Sequence, residues 1–318
     1  MDQFQDGEHV RLRSRVHGTY LHADEDGHGV SLPRRGASMN GVWSVHIYHR
    51  DGPQLLLYSA AYGRYLAATD ARATPGHRGF RAVQCDYDRR HMEAIKWHAV
   101  WAESENYVVL RDVAGRCLRA NKRYLSRNNG CDYDRRHMEA IKWHAVWAES
   151  ENYVVLRDVA GRCLRANKRY LSRNNGVSVD DIDDINNVST MMHLHWFVEL
   201  IPARDGIPPL PRPIWHPFPG IVTAVLPSRM ILYVREGADG SRITRGSFKF
   251  SGRSVFRLRK KLVRRLRAIM DVSKLVVCVE AGAFGRLTPL VVDLPRSRHN
   301  LHIVVIEAGT PVRTNLPV

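Results

Sequence analysis

Residues 54–68, QLLLYSAAYGRYLAA, carry the pattern whose reading decides the fold. A strand-like apolar run leads through Gly63 into a second short run, Tyr65-Leu66, and then Ala68. Glycine suits the turn between them because it takes positive φ without a Cβ clash. The same order recurs in HVRLRSRVHGTYLHA (9–23), through Gly18 to Tyr20, Leu21 and Ala23. It recurs again in YVVLRDVAGRCLRA at 107–120, through Gly115, and at 153–166, through Gly161. Each unit later reaches an aromatic strand: Trp43 in VWSVHIY, Trp97 and Trp143 in IKWHAVW, and Trp196 in HLHWFVEL.

The four glycines are spaced by 45, 52 and 46 residues, with almost no helical periodicity between them. Short strands at this period predict a β-trefoil or a related closed all-β barrel. Three units close a trefoil, and this chain has four. The excess has a visible source, because residues 85–130 recur letter for letter as 131–176, an exact 46-residue duplicate. A recent in-frame duplication and a gene-model error both account for it. Removing 107–152 leaves one complete set of three units. The expectation is that 107–152 is looped out or displaces its near-twin, exposing Trp143 and Trp147 and favouring self-association.

Seven prolines in PARDGIPPLPRPIWHPFP (202–219) rule out a helix or central strand there and predict an extended linker. Its PPLPRP also has the form of a polyproline ligand. The expected organisation is a trefoil region at 1–204, a Pro-rich linker at 205–222 and a basic α+β domain at 223–318. In the last, strands are expected at 229–235, 247–250, 274–280, 287–294 and 301–307, with a helix at 254–270 capped by Ser254. That ββαβββ order suggests a β-grasp, ubiquitin-like domain.

The chain of 318 residues is 44% hydrophobic and 25% charged, which excludes a disordered or collagen-like protein. No apolar run approaches the ~20 residues of a membrane span. MDQFQDGEHV lacks the basic and apolar regions of a secretory signal. A cytoplasmic protein is therefore expected, with the nucleus also open. The net charge of +16 is uneven. Residues 1–204 hold 29 basic and 25 acidic side chains (+4), and residues 205–318 hold 19 and 7 (+12). Much of the excess lies on one helix. At about 100° per residue, Val255, Phe256, Leu258, Leu262, Val263, Leu266, Ile269 and Met270 share a broad face. Arg257, Lys260, Lys261, Arg264, Arg265 and Arg267 share the other, with Arg259 out of place. Those six cations are the candidate partner-binding residues, suited to an acidic protein, a phosphate or an anionic lipid headgroup. The bland alternative is a solvated outer face. With no aromatic interleaved among them to stack on bases, nucleic acid is disfavoured.

Catalytic chemistry finds no foothold. No GxSxG, P-loop, HExxH or GxGxxG motif occurs. The cysteines, at 85, 117, 131, 163 and 278, include two duplicated copies and form no CxxC pair or disulfide framework, which fits a reducing compartment. His193-x-His195 would put two rings on one strand face, but no third metal ligand is spaced to join them. The expectation is no enzyme, no cofactor and no metal. Each unit's tryptophan is expected in the core. The ricin-type QxW signature is absent, since Trp43 follows Gly-Val and Trp97 and Trp143 follow Ile-Lys.

The opening HVRLRSRVHGTYLHADEDG and the late segment GRLTPLVVDLP (285–295) resemble the plant domain-of-unknown-function family 569, catalogued as fascin-like actin-cross-linking proteins. Val10, Arg11, Leu12, Arg13, Ser14, Tyr20, Leu21, Ala23 and Asp24 match its opening pattern. The resemblance implies a mostly β chain: a fascin-like β-trefoil, here with one duplicated extra unit, followed by the small α+β domain. It also implies a plant source, an intracellular protein without cofactor and, by fold analogy, actin filaments or another acidic protein as partner. A ligand-binding, lectin-like trefoil with a basic module for acidic partners is the alternative.

Overall fold

The computed structural model describes residues 4–34, 38–49, 53–101, 108–111, 144–147, 153–167, 175–180, 192–202, 228–237, 239–266, 272–280 and 287–308. Twelve of the strands among them build a β-trefoil in three sets of four. The first set is β1 (His9–Ser14), β2 (His22–Ala23), β3 (Val30–Leu32) and β4 (Trp43–Tyr48). The second is β5 (Gln54–Ser59), β6 (Tyr65–Arg72), β7 (Phe80–Cys85) and β8 (Trp97–Trp101). Two further strands, β9 (Val108–Arg111) and β10 (His144–Trp147), precede the third set, which is β11 (Tyr153–Asp158), β12 (Cys163–Ala166), β13 (Asn175–Asp180) and β14 (Trp196–Ile201).

The outer strands of each set close a six-membered antiparallel ring, β1–β4–β5–β8–β11–β14 and back to β1. Closure leaves this ring no edge to aggregate through. The inner strands pair as hairpins β2–β3, β6–β7 and β12–β13, and β13 ties the three together through β3 and β7. Trp43, Trp97 and Trp196 are fully buried, and each indole N–H donates to a leucine carbonyl: Leu21 at 3.0 Å, Leu66 at 3.1 Å and Leu164 at 3.0 Å. Those leucines are the ones that follow each motif glycine, so the repeat seen in the sequence is a pseudo-threefold core in space. A buried indole needs that partner, since an orphaned N–H costs about 1–3 kcal/mol.

The segment Ala102–Asn152 forms a compact unit of its own. Within it β9 pairs with β10, Val108 opposite Trp147 and Arg111 opposite His144. In the trefoil, β8 pairs with β11, Trp101 opposite Val154 and His98 opposite Arg157. A shift of 46 residues superposes one register on the other, so the identical sequences make the identical hairpin twice.

The C-terminal domain holds β15 (Ser228–Glu236), β16 (Arg242–Ser251), α1 (Val255–Leu266), β17 (Leu275–Glu280), β18 (Leu287–Pro289) and β19 (Leu301–Glu307). The sheet order is β16-β15-β19-β17-β18, with β15 and β19 parallel and the other pairs antiparallel. This is the ubiquitin-like β-grasp topology. The strand expected at 287–294 stops at Pro289, which has no N–H to extend the ladder. Of the helix expected at 254–270, residues 255–266 are helical and 267–270, Arg267 included, lie outside the described residues, as does the linker 205–222. Ser254 caps as expected, its Oγ accepting from the Arg257 N–H at 3.4 Å.

The two domains share apolar surface. Leu56, Tyr58, Tyr65, Ala67 and Ile95 of the trefoil belong to one buried cluster with Ile231, Phe250, Leu258, Val279 and Ile303. Glu25 receives Arg253 at 3.1 Å and Arg296 at 3.5 Å across the same junction. Gly63 is where the approach is tightest. Gly18, Gly63 and Gly161 all turn their hairpins at positive φ, 64°, 69° and 82°. A Cβ at Gly18 or Gly161 would meet nothing within 4 Å, whereas at Gly63 it would lie 2.6 Å from Val279 Cγ2 and 2.8 Å from Tyr58 Oη. Gly18→Ala, outside the duplicate, should therefore cost only the left-handed strain, about 1–2 kcal/mol. Gly63→Ala should cost about 1–3 kcal/mol more, through overpacking of the domain junction. Urea denaturation of the two variants measures the difference, and equal losses would mean the junction is not packed this way.

Candidate functional site

The sequence VFRLRKKLVRRL sorts its side chains by helical period. Val255, Leu258 and Leu262 are buried, while Phe256, Val263 and Leu266 are half-buried. Arg257, Lys260, Arg264 and Arg265 are exposed and Lys261 is half-buried. Arg259, out of place on the helical wheel, turns inward: its Nη2 donates to the Val272 carbonyl at 2.7 Å, in the short 3-10 turn Val272–Lys274. Burial holds its pKa below the usual arginine value.

The outward face forms one wall of an open groove with a cavity volume of about 910 Å³. Arg257, Lys260, Lys261, Arg264 and Arg265 line it, so five of the six residues singled out from the sequence come together there. Phe256 of α1 and Phe250 and Ser251 of β16 complete the lining. Phe256 belongs to the helix's apolar face, whereas the phenylalanines of β16 could not be found from the helix alone. Phe248 and Phe250 come from the alternation of SFKF on β16, which aims both rings at the helix. Their faces are occupied by cations. Lys260 Nζ lies 4.6 Å from the centre of the Phe256 ring, Lys261 Nζ 5.0 Å from Phe248 and 6.0 Å from Phe250, and the Arg265 guanidinium 5.0 Å from Phe248. Aromatic groups thus do flank the basic face, a correction to the sequence expectation, and each is already capped by a charge.

Lys261 Nζ also donates to the Lys249 carbonyl at 2.8 Å. Among the described residues no carboxylate forms an ion pair with any of the five cations. Arg257, Lys261 and Arg265 follow one another at i,i+4, as do Lys260 and Arg264. Each such like-charge pair destabilises a helix by a few tenths of a kcal/mol. An anionic group in the groove removes that repulsion, so the arrangement favours acidic ligands on its own energetics.

The remaining sequence candidates are engaged elsewhere. His193 and His195 lie in the turn before β14 and not on a strand face. His193 Nδ1 is 2.7 Å from the Ala166 carbonyl, and His195 Nδ1 is 2.8 Å from Arg15 Nη1. No group of three metal-ligating side chains occurs among the described residues. Asp180 is buried in β13 beside Arg78 at 3.5 Å and Arg165 at 3.7 Å. Burial pushes the Cys85 thiol up to about 11 and Cys278 up to about 12, opposite to what a nucleophile needs. No helix among the described residues is long and apolar enough to cross a membrane.

Residues 1–147 match the family model described as a β-trefoil domain of unknown function (DUF569), and residues 227–306 match the DUF569-associated ubiquitin-like domain. No curated protein matches the chain. Among solved structures, an SDF2-like protein from Arabidopsis thaliana is 11% identical, over 62% of this chain and 94% of that one, with a TM-score of 0.40. A ricin B-like lectin from Macrolepiota procera, in complex with lactose, is 14% identical over 61% and 96%, with a TM-score of 0.36. ThreeFoil, a designed threefold-symmetric protein, is 15% identical over 60% and 96%, with a TM-score of 0.34.

Proposed function

Since the chain belongs to the DUF569 family, in which this trefoil carries an associated ubiquitin-like domain, we propose that it is a non-enzymatic interaction protein whose basic groove takes an acidic protein partner, actin filaments being the first to test. One observation carries the reading: five cations line an open groove with no carboxylate paired to them among the described residues. The fascin-like resemblance supplies the filament as the candidate, and the acidity of a filament surface suits a +12 domain. The lectin-like alternative lacks a comparable support. Its natural stacking residues, Trp43, Trp97 and Trp196, are buried with their N–H groups satisfied.

Co-sedimentation with filaments over a salt series tests the proposal. The wild-type chain should pellet at low ionic strength and progressively less as salt rises, because the attraction is screened over a Debye length. The quadruple variant Lys260→Gln, Lys261→Gln, Arg264→Gln, Arg265→Gln removes four charge contacts of about 0.5 kcal/mol each, so its affinity should fall roughly thirtyfold. No pelleting of the wild type even at low salt removes actin as the partner.

A further inference from the structure

β16 is the outer strand of its sheet, hydrogen-bonded, among the described residues, on its β15 side alone. An edge of this kind offers unpaired N–H and C=O groups as a template for another strand. Here the edge lies beside the cations. Phe250 and Ser251 of β16 line the same groove as Arg257, Lys260, Lys261, Arg264 and Arg265. The Lys249 carbonyl accepts from Lys261 Nζ at 2.8 Å, so a backbone acceptor of this strand is open to a donor from outside the sheet.

We propose that the partner enters the groove as an extended acidic segment, adding to β16 as a further strand and setting its carboxylates against the α1 cations. The inference rests on the reading of the groove as a site for an acidic protein, and goes further by assigning the backbone conformation of what binds. Two periodicities support it. Side chains on one face of an extended strand recur every ~6.8 Å, and Arg257, Lys261 and Arg265, four residues apart on a helix, recur every ~6 Å. An Asp or Glu at every second position therefore stays within reach of three successive cations. The intervening aliphatic residues take the opposite face. Strand addition also conserves hydrogen bonds: the incoming N–H takes the Lys249 carbonyl, and Lys261 exchanges that carbonyl for a carboxylate, a stronger acceptor. A folded acidic surface or a phosphate group would use the same cations and leave the strand edge untouched.

An acetylated ten-residue peptide alternating Glu and Val, titrated into the full chain, separates these cases. A second peptide of the same sequence is N-methylated at every other backbone nitrogen, which removes the donors of one edge and leaves every charge in place. The first peptide should bind and slow amide exchange across Ser247–Ser251, and the second should bind about tenfold more weakly or worse. Equal binding of both peptides, or binding without protection of Ser247–Ser251, overturns strand addition while the groove reading stands. No binding by either peptide overturns strand addition too. If the quadruple Gln variant binds the first peptide as tightly as the wild type, the groove reading itself falls and this inference with it.

Discussion

Leu156→Asp is expected to leave the trefoil folded, Leu110→Asp likewise, and the two together to abolish it. Leu156 is fully buried in the barrel core, on the strand that pairs with β8. A carboxylate at such a site ordinarily costs several kcal/mol, a large part of a domain's ~5–15 kcal/mol. Leu110 is its twin at a distance of 46 residues, inside a segment that matches residue for residue. β9 also makes with β10 the same register that β11 makes with β8. Residues 107–121 can therefore replace 153–167 in the barrel without changing one core contact. The extra 46 residues then leave from the β12–β13 connection, in place of the β8–β11 connection. Loop entropy varies only with the logarithm of length, about 0.6 kcal/mol per doubling, so the two closures lie close in energy. Either single substitution removes one of two equivalent states, a loss of about 0.4 kcal/mol. The double variant has no intact copy. Urea midpoints should show a coupling of about 3 kcal/mol or more between residues that never need to touch. Leu57→Asp, equally buried but outside the duplicate, should unfold the chain alone. If Leu156→Asp behaves like Leu57→Asp while Leu110→Asp is silent, only one closure forms.

The same degeneracy marks where sequence reading stopped. Period, turn glycines and aromatic strands announce a trefoil, because each follows from local rules: positive φ at a hairpin and alternation on a half-buried strand. Which copy fills the third place does not follow, since identical sequences have identical propensities. Strand pairing between residues 97–101 and 153–158 is a long-range choice. The groove divides along the same line. Its cations were legible from helical period alone. Phe250 lines it, and Phe248 meets its cations, across a strand-to-helix packing that no single-element pattern encodes. Arg259 contradicted the wheel until the Val272 carbonyl gave its guanidinium an inward partner. His193 and His195 alternate as strand residues do, yet the Ala166 carbonyl and the Arg15 guanidinium hold them in a turn. Tertiary hydrogen bonds override a two-residue period that is too short to define a strand.

Acidification should destabilise the trefoil steeply, and three buried histidines set the slope. Burial lowers His9, His22 and His195 from near 6.5 to about 4, with Arg11 adding to the effect at His22 and Arg15 at His195. The geometry agrees with neutral rings. Arg15 Nη1 lies 2.8 Å from His195 Nδ1, a donor that requires an unprotonated acceptor, and the buried Nε2 atoms of His9 and His22 make no hydrogen bond among the described residues. Folded pKa values below the unfolded ones mean that the stability these groups allow is full above about 6.5. It is lost as pH falls towards 4, because the unfolded chain binds the protons first. Asp24 works the other way. Burial raises its carboxyl to about 6, against a hydrogen bond from the Ser31 hydroxyl at 2.6 Å that favours the ionised form. Native Asp24 therefore keeps a proton that the unfolded chain releases between about 3.8 and 6. At pH 5 these four groups together take up about three protons on unfolding and release about one. The net of two gives a slope of about 2.7 kcal/mol per pH unit. Urea unfolding at pH 7.5, 6, 5 and 4.5 should show a loss of about 2 kcal/mol in the first step, where the unfolded histidines already take up protons, and a continuing fall in the later ones. His195→Gln should reduce the slope by about one proton, because glutamine also accepts from Arg15 and takes up no charge. A flat profile from pH 7 to 5 would mean that these rings are protonated in the fold, and that the Arg15–His195 contact does not form as drawn.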